Sequence, residues 1–170
     1  MTKYFKGSYL FGVVGGVFCL LAFWVLRWAG LEPVYYSLFF ACMITPVFVF
    51  IGVKNYRDTT GNGEMLFAQG MTVGFVVYGL IALVTALGIA LFLQMMPDLF
   101  SDYKADKIVS LQGRETIFTE NVNKEAFDRA MVELENMSVS DVAWDVFLKI
   151  FILELFFTII ISIILKRIKN

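Results

Sequence analysis

Three stretches of the chain run free of charged residues for the length of a membrane crossing: Tyr9–Leu26 (18 residues), Val34–Val53 (20) and Met71–Met96 (26). A helix rises about 1.5 Å per residue, so roughly 18–20 apolar residues cross a hydrocarbon core of about 30 Å. Trp144–Leu165 is a weaker fourth stretch. Asp145, Lys149 and Glu154 interrupt it, yet Leu155–Leu165 reads as an apolar run, and Lys166-Arg167-Ile168-Lys169-Asn170 follows at once. The pattern predicts an all-α polytopic membrane protein, a single membrane domain over residues 1–170 with spans near 9–31, 34–53, 71–96 and 144–165. The first run is too long, and its flank "FWVLRWAG" too bulky, for a cleaved signal peptide, so it reads as a retained span.

Between the third and fourth spans the period changes. Phe127, Ala130, Met131, Leu134 and Met137 recur at helical spacing, with Glu125, Asp128, Arg129, Glu133 and Glu135 on the other faces. This predicts an amphipathic helix within a 97–143 insert, capped by Asn121 or Asn123, and Ser138-x-x-Asp141 reads as a capping box that starts the last span. Such a helix suits a lid over the bundle mouth or the headgroups, or a surface for a partner.

Charge orients the chain. Lys3, Lys6, Lys54, Arg57, Lys166, Arg167 and Lys169 fall on one side of a four-span topology, with only Asp58 and Glu64 against them. The insert holds five basic and ten acidic residues, a net charge of −5. The positive-inside bias places both termini and the 54–69 hairpin in the cytoplasm and the insert outside. In the hairpin, Lys54 and Arg57 sit where anionic headgroups attract them, and Gly61-Asn62-Gly63 reverses the chain through positive φ.

Composition narrows the chemistry. The chain is 59% hydrophobic, above the roughly 45–50% of soluble domains, and its net charge of −1 offers nucleic acid no basic field. It contains no histidine, which removes the commonest metal ligand and general base. Cys19 and Cys42 lie inside apolar runs without metal-site spacing and read as small apolar fillers. No catalytic residue, metal or cofactor is indicated, and the chain does not read as an enzyme.

The hairpin "IGVKNYRDTTGNGEMLFAQG", the long third span, the acidic insert and a last span with an internal acid before "ILKRIK" resemble a domain-of-unknown-function family of small four-span membrane proteins from Bacteroidota-type bacteria. The resemblance rests chiefly on Ile51, Gly52, Val53, Lys54, Tyr56, Arg57, Asp58, Gly61, Gly63, Phe67 and Gly70, with the family's last-span acid falling on Glu154. Phe157 stands where a proline often follows that acid. The resemblance implies residence in the bacterial inner membrane and no established activity.

Glu154 is the chief candidate site. It is 12 residues from Lys166, roughly 18 Å up a helix and slightly past the midplane. A lipid-facing carboxyl there is costly, so Glu154 is expected to face inward, neutral, and hydrogen-bonded near Thr85, which lies at matching depth on the third span. Arg27, between Trp24 and Trp28, reads as an interfacial anchor rather than an ion-pair partner for Glu154. Asp145 and Lys149 are spaced for a helical pair. Gly12/Gly16 and Gly70/Gly74 suit close helix approach, and Thr45 is placed to satisfy a carbonyl freed by Pro46.

The expected role is an accessory or scaffold protein that anchors a partner, with membrane lipids and either further copies of itself or another protein as its contacts. The alternative is a small proton- or cation-linked transporter that uses Glu154. The topology has a direct check: a cysteine at Thr59 should react with an impermeant maleimide only after the cytoplasmic face is opened, and one at Glu120 should react in intact cells. The reverse pattern would invert the topology.

Overall fold

A computed structural model describes residues 2–117 and 123–168, with side chains from Tyr4 onward. Six long helices appear among them: α1 (Thr2–Trp28), α2 (Pro33–Thr59), α3 (Phe67–Met95), α4 (Pro97–Gln112), α5 (Lys124–Glu135) and α6 (Val139–Leu165). Four of these, α1, α2, α3 and α6, are long and apolar enough to cross a membrane. The protein is therefore an all-α polytopic membrane protein. The chain divides into two compact units, residues 1–89 with 144–170, and residues 90–143.

Helix ends in the first unit follow local chemistry. α1 stops at Trp28 because Gly30 takes φ +74°. The Leu31 N–H then reaches the Leu26 carbonyl (3.0 Å) and the Gly30 N–H that of Arg27 (3.1 Å), the hydrogen-bond pair that closes a helix on a left-handed glycine. The expected span to residue 31 is thus three residues too long. Glu32 accepts the Tyr35 N–H (2.8 Å) and Pro33 opens α2. The hairpin turns on Asn62 (φ 51°) and Gly63 (φ 85°). Gly61 does not take positive φ; it is a glycine for another reason, because a Cβ there would lie 2.1 Å from the Glu64 carbonyl oxygen.

Glycine also sets the helix contacts. A Cβ on Gly12 would meet Leu80 Cβ at 2.7 Å, one on Gly16 would meet Val84 Cβ at 2.6 Å, and one on Gly15 would meet Ile81 Cδ1 at 2.6 Å, so α1 lies with its backbone against α3. Toward α6, a Cβ on Gly74 would meet Thr158 at 2.3 Å and one on Gly70 would meet Ser162 at 3.0 Å. Without a hydrophobic drive between helices in lipid, this close packing is a main source of association. Tyr78, Phe75 and Phe151 complete the α3–α6 contact as edge-to-face rings, with Tyr78 and Phe151 5.1 Å apart. Buried Phe23, Val49, Val53, Val77, Ile81 and Ile150 fill the interior, while Val25, Phe39, Leu87, Phe156 and Ile164 face outward, as lipid-facing residues do. α6 runs unbroken past Phe157, and Asp145 pairs with Lys149 one turn on.

The second unit is built on α4 and α5. Pro97 opens α4, which buries Leu99 and Tyr103. Its sequence carries no clear apolar stripe, and the periodicity does not reveal it. Asn123 caps α5 by accepting the Ala126 N–H (2.7 Å). Asn121, the other expected cap, and position 120 lie outside the described residues, as does Lys169. Phe127 is the buried anchor of the predicted apolar face, and the Lys104 ammonium donates to the Glu135 carbonyl. The Ser138 N–H donates to Asp141 Oδ2 (2.8 Å) and the Asp141 N–H to Ser138 Oγ (3.3 Å), a reciprocal capping box.

The glycine contacts predict a graded outcome. Gly16→Leu or Gly74→Leu should force α3 away from its neighbours and lower stability by about 1–3 kcal/mol, the usual cost of overpacking. Gly7→Ala, where a Cβ meets nothing within 4 Å, should be neutral or slightly stabilising in a helix. Thermal unfolding in detergent of the three variants checks the ranking.

Candidate functional site

One short polar layer crosses the first unit, and each spanning helix supplies it with one side chain. Cys19 comes from α1, Thr45 from α2, Thr85 from α3 and Glu154 from α6. Thr45, Thr85 and Glu154 are each 0% exposed. The Cys19 thiol lies beside the hydroxyls of both threonines and within electrostatic reach of the Glu154 carboxyl. Cys42 and Tyr78 also feel the carboxyl.

Several expectations change at this layer. Glu154 faces inward, as expected, and Thr85 faces the same layer, but the hydrogen bond between them is not made. Neither carboxyl oxygen of Glu154 and neither threonine hydroxyl has a hydrogen-bond partner. Thr45 does not satisfy a carbonyl freed by Pro46; its hydroxyl is likewise unbonded. Cys19 is buried in the core, as a small filler would be, and its thiol also lies among the layer's polar groups. Among the described residues no cation pairs with Glu154; Arg57 is held by Asp58 and Lys149 by Asp145. Arg27 is exposed at the end of α1, flanked by exposed Trp24 and Trp28.

Along α6 the layer continues in one direction only. Along α6, Thr158 and Ser162 follow Glu154 at four-residue spacing, both 0% exposed and both without a hydrogen-bond partner. This spacing places all three on one helix face. They run toward the hairpin end, against Gly74 and Gly70 of α3. In the opposite direction the same face of α6 shows Ile150 and Val146, and the neighbouring helices show Phe23, Leu26 and Ile89, all buried and apolar. Thr158 and Ser162 are hard to single out in the sequence, because they sit in a run that looks apolar by hydropathy. Their spacing from Glu154 was the available signal.

The hairpin residues are not part of this layer. Lys54 is exposed, Arg57 donates to Asp58 (2.7 Å), and Tyr56 is buried against Tyr4 with ring centroids 5.3 Å apart. Gly61 and Gly63 shape the turn that follows. Met65 and Arg167 exchange backbone hydrogen bonds of 2.8 and 3.0 Å, which tie the hairpin to the segment after α6.

Residues 10–167 match the family described as "Protein of unknown function (DUF4199)", and the chain belongs to that family. No curated protein and no solved structure matches it.

A buried hydroxyl or carboxyl without a partner already carries its desolvation cost, so removing it creates no new orphan group. Thr85→Val and Glu154→Leu are therefore each expected to leave the thermal midpoint in detergent unchanged or raised. A drop equivalent to about 1–2 kcal/mol, the scale of a lost intramembrane hydrogen bond, would mean that the layer is bonded after all.

Proposed function

We propose that this DUF4199 protein acts through protonation of Glu154, as a small proton-linked transporter or channel of the bacterial inner membrane. The observation that supports this reading is the fully buried carboxyl that neither pairs with a cation nor accepts a hydrogen bond among the described residues. An acid used only as packing glue holds a neighbour by a hydrogen bond, and Thr85 stands in the same layer without taking one. A carboxylate left charged in such a place is strongly disfavoured, so any charging of Glu154 has to be accompanied by water, a cation or a shift of the helices. Intramembrane acids of this kind mark proton and ion pathways.

The one-sided line of Thr158 and Ser162 supplies hydroxyls that both donate and accept, as a proton relay requires. On α6 the opposite direction is apolar, through buried Ile150 and Val146. Under the topology read from the charge bias, with both termini cytoplasmic, protons would exchange with Glu154 from the cytoplasmic side. Four helices leave little space for a permanent pore, so the active form on this reading is a homo-oligomer or a bundle whose helices move.

A second reading, an accessory subunit that anchors a partner, is favoured by the hairpin. It is pinned at Met65–Arg167 and presents Lys54 to the surface. One pair of measurements separates the two. Reconstituted in liposomes under a pH gradient, the wild type should carry proton flux that Glu154→Gln abolishes, because an amide cannot titrate although it fits the same space. Thr158→Val with Ser162→Ala should slow that flux without unfolding the protein. Equal flux for wild type and Glu154→Gln would overturn the transport reading. A stoichiometric partner retained after mild solubilisation, and lost in Lys54→Gln/Arg57→Gln, would then establish the anchor.

A further inference from the structure

Two adjoining cavities lie on the hairpin side of the first unit, and Cys19, Thr45, Thr85 and Glu154 line neither of them. The first is a groove of about 630 Å³ along α1, α3 and α6, lined by Phe5, Met71, Phe75, Val76 and Leu155. The second is a pocket of about 490 Å³ formed by the hairpin, the start of α3 and the segment after α6. Its polar walls are Tyr56, Thr60, Glu64, Gln69 and Arg167. Tyr4 lines both, so the apolar groove and the polar pocket meet at one side chain.

The polar pocket holds one cation and one carboxylate that do not neutralise each other. Among the described residues neither Arg167 nor Glu64 makes an ion pair. Arg167 is within electrostatic reach of Asp58, but Arg57 already holds that carboxylate at 2.7 Å. The Arg167 backbone is fixed by its two hydrogen bonds to Met65, which anchors the base of its guanidinium side chain. Gln69 Oε1 accepts the Leu66 N–H (2.9 Å), so its amide hydrogens are the polar feature it has left to offer.

We infer that these two cavities form a single site for phosphatidylethanolamine, with an acyl chain in the groove and the zwitterionic headgroup in the pocket. Charge complementarity selects this occupant. A guanidinium is suited to phosphate oxygens, and a carboxylate is suited to a primary ammonium with hydrogens to donate. A purely anionic headgroup would bring its charge beside Glu64. A choline headgroup has no N–H for Glu64 to accept. The apolar groove beside the pocket distinguishes a lipid from a soluble phosphoamine, which would leave that surface empty.

The test uses the full-length protein, delipidated in detergent, with thermal stabilisation and native mass spectrometry as readouts. The probes are dioleoyl phosphatidylethanolamine, phosphatidylcholine and phosphatidylglycerol with identical chains, and soluble phosphoethanolamine. Phosphatidylethanolamine should bind most tightly, roughly tenfold better than phosphatidylcholine, as one charge-assisted hydrogen bond provides. Glu64→Gln should erase that preference while both lipids still bind. Arg167→Gln should weaken both, and Val76→Trp should block the groove and weaken both while the fold persists. Soluble phosphoethanolamine should bind far more weakly than the lipid. Equal binding of phosphatidylethanolamine and phosphatidylcholine to the wild type, a preference that survives Glu64→Gln, or tightest binding of phosphatidylglycerol would each overturn the assignment. Binding of phosphoethanolamine as tight as that of the lipid would show a soluble-ligand site instead.

Discussion

Backbone-to-backbone contact through glycine is the constraint on which the rest of this bundle depends. Hydrocarbon solvates apolar side chains as well as a protein interior does, so burial alone gives spanning helices little reason to associate. Here α1 closes on α3 across Gly12, Gly15 and Gly16, and α3 closes on α6 across Gly70 and Gly74. α2 joins them where a Cβ on Gly52 would lie 2.9 Å from Val77 of α3, and together these contacts bring side chains from four helices into one layer and exclude lipid from it. A methyl group at Gly74 would sit 2.3 Å from Thr158, so the same glycine that closes the α3–α6 seam leaves room for the polar line on α6.

The bundle itself was legible in the sequence for a simple reason. Lipid demands long charge-free runs, and such runs stand out against any soluble pattern. The inward direction of Glu154 was legible by the same logic, since a carboxyl at that depth has nowhere else to go. Its partners were not. Hydropathy treats Thr158, Ser162 and Cys19 as tolerable members of apolar segments, and depth arithmetic can align Thr85 with Glu154 without saying whether their atoms bond. The turn showed a similar limit. The cluster Gly61-Asn62-Gly63 announced a reversal, but the division of labour within it depends on where the Glu64 carbonyl falls. α4 was missed because its buried residues, Leu99 and Tyr103, are too few to impose a period on a polar segment.

The two sites lie near one another at the hairpin end. Ser162 Oγ and the Met65 methyl both approach Gly70, each 3.0 Å from where its Cβ would be. Met65 is 1% exposed, and it also lines the polar pocket. It is thus the side chain at which the line of buried hydroxyls and the surface pocket come together. Its backbone is held by Arg167, the cation of that pocket. Occupancy of the pocket and the packing at the end of the polar line therefore share a residue, although they belong to different chemistries.

An unpaired buried acid is expensive to keep when stability is the only demand. A leucine at position 154 would pack against the same neighbours without the desolvation cost, and Thr45 and Thr85 carry smaller versions of the same penalty. Ser8 and Ser37 show the alternative, because each hydroxyl donates to a carbonyl of its own helix, Tyr4 and Val34 respectively. Polar groups in this protein can therefore be satisfied locally, and elsewhere in the same helices they are. Among the described residues of the spanning helices, the buried side chains that remain unsatisfied are the two threonines of the layer and the Glu154–Thr158–Ser162 line. Unsatisfied groups spread at random would mean little. Five of them lying in one layer, and on the one helix face that leads away from it toward the hairpin, form a connected region in which a proton, a water or a small cation would find more partners than the protein gives itself.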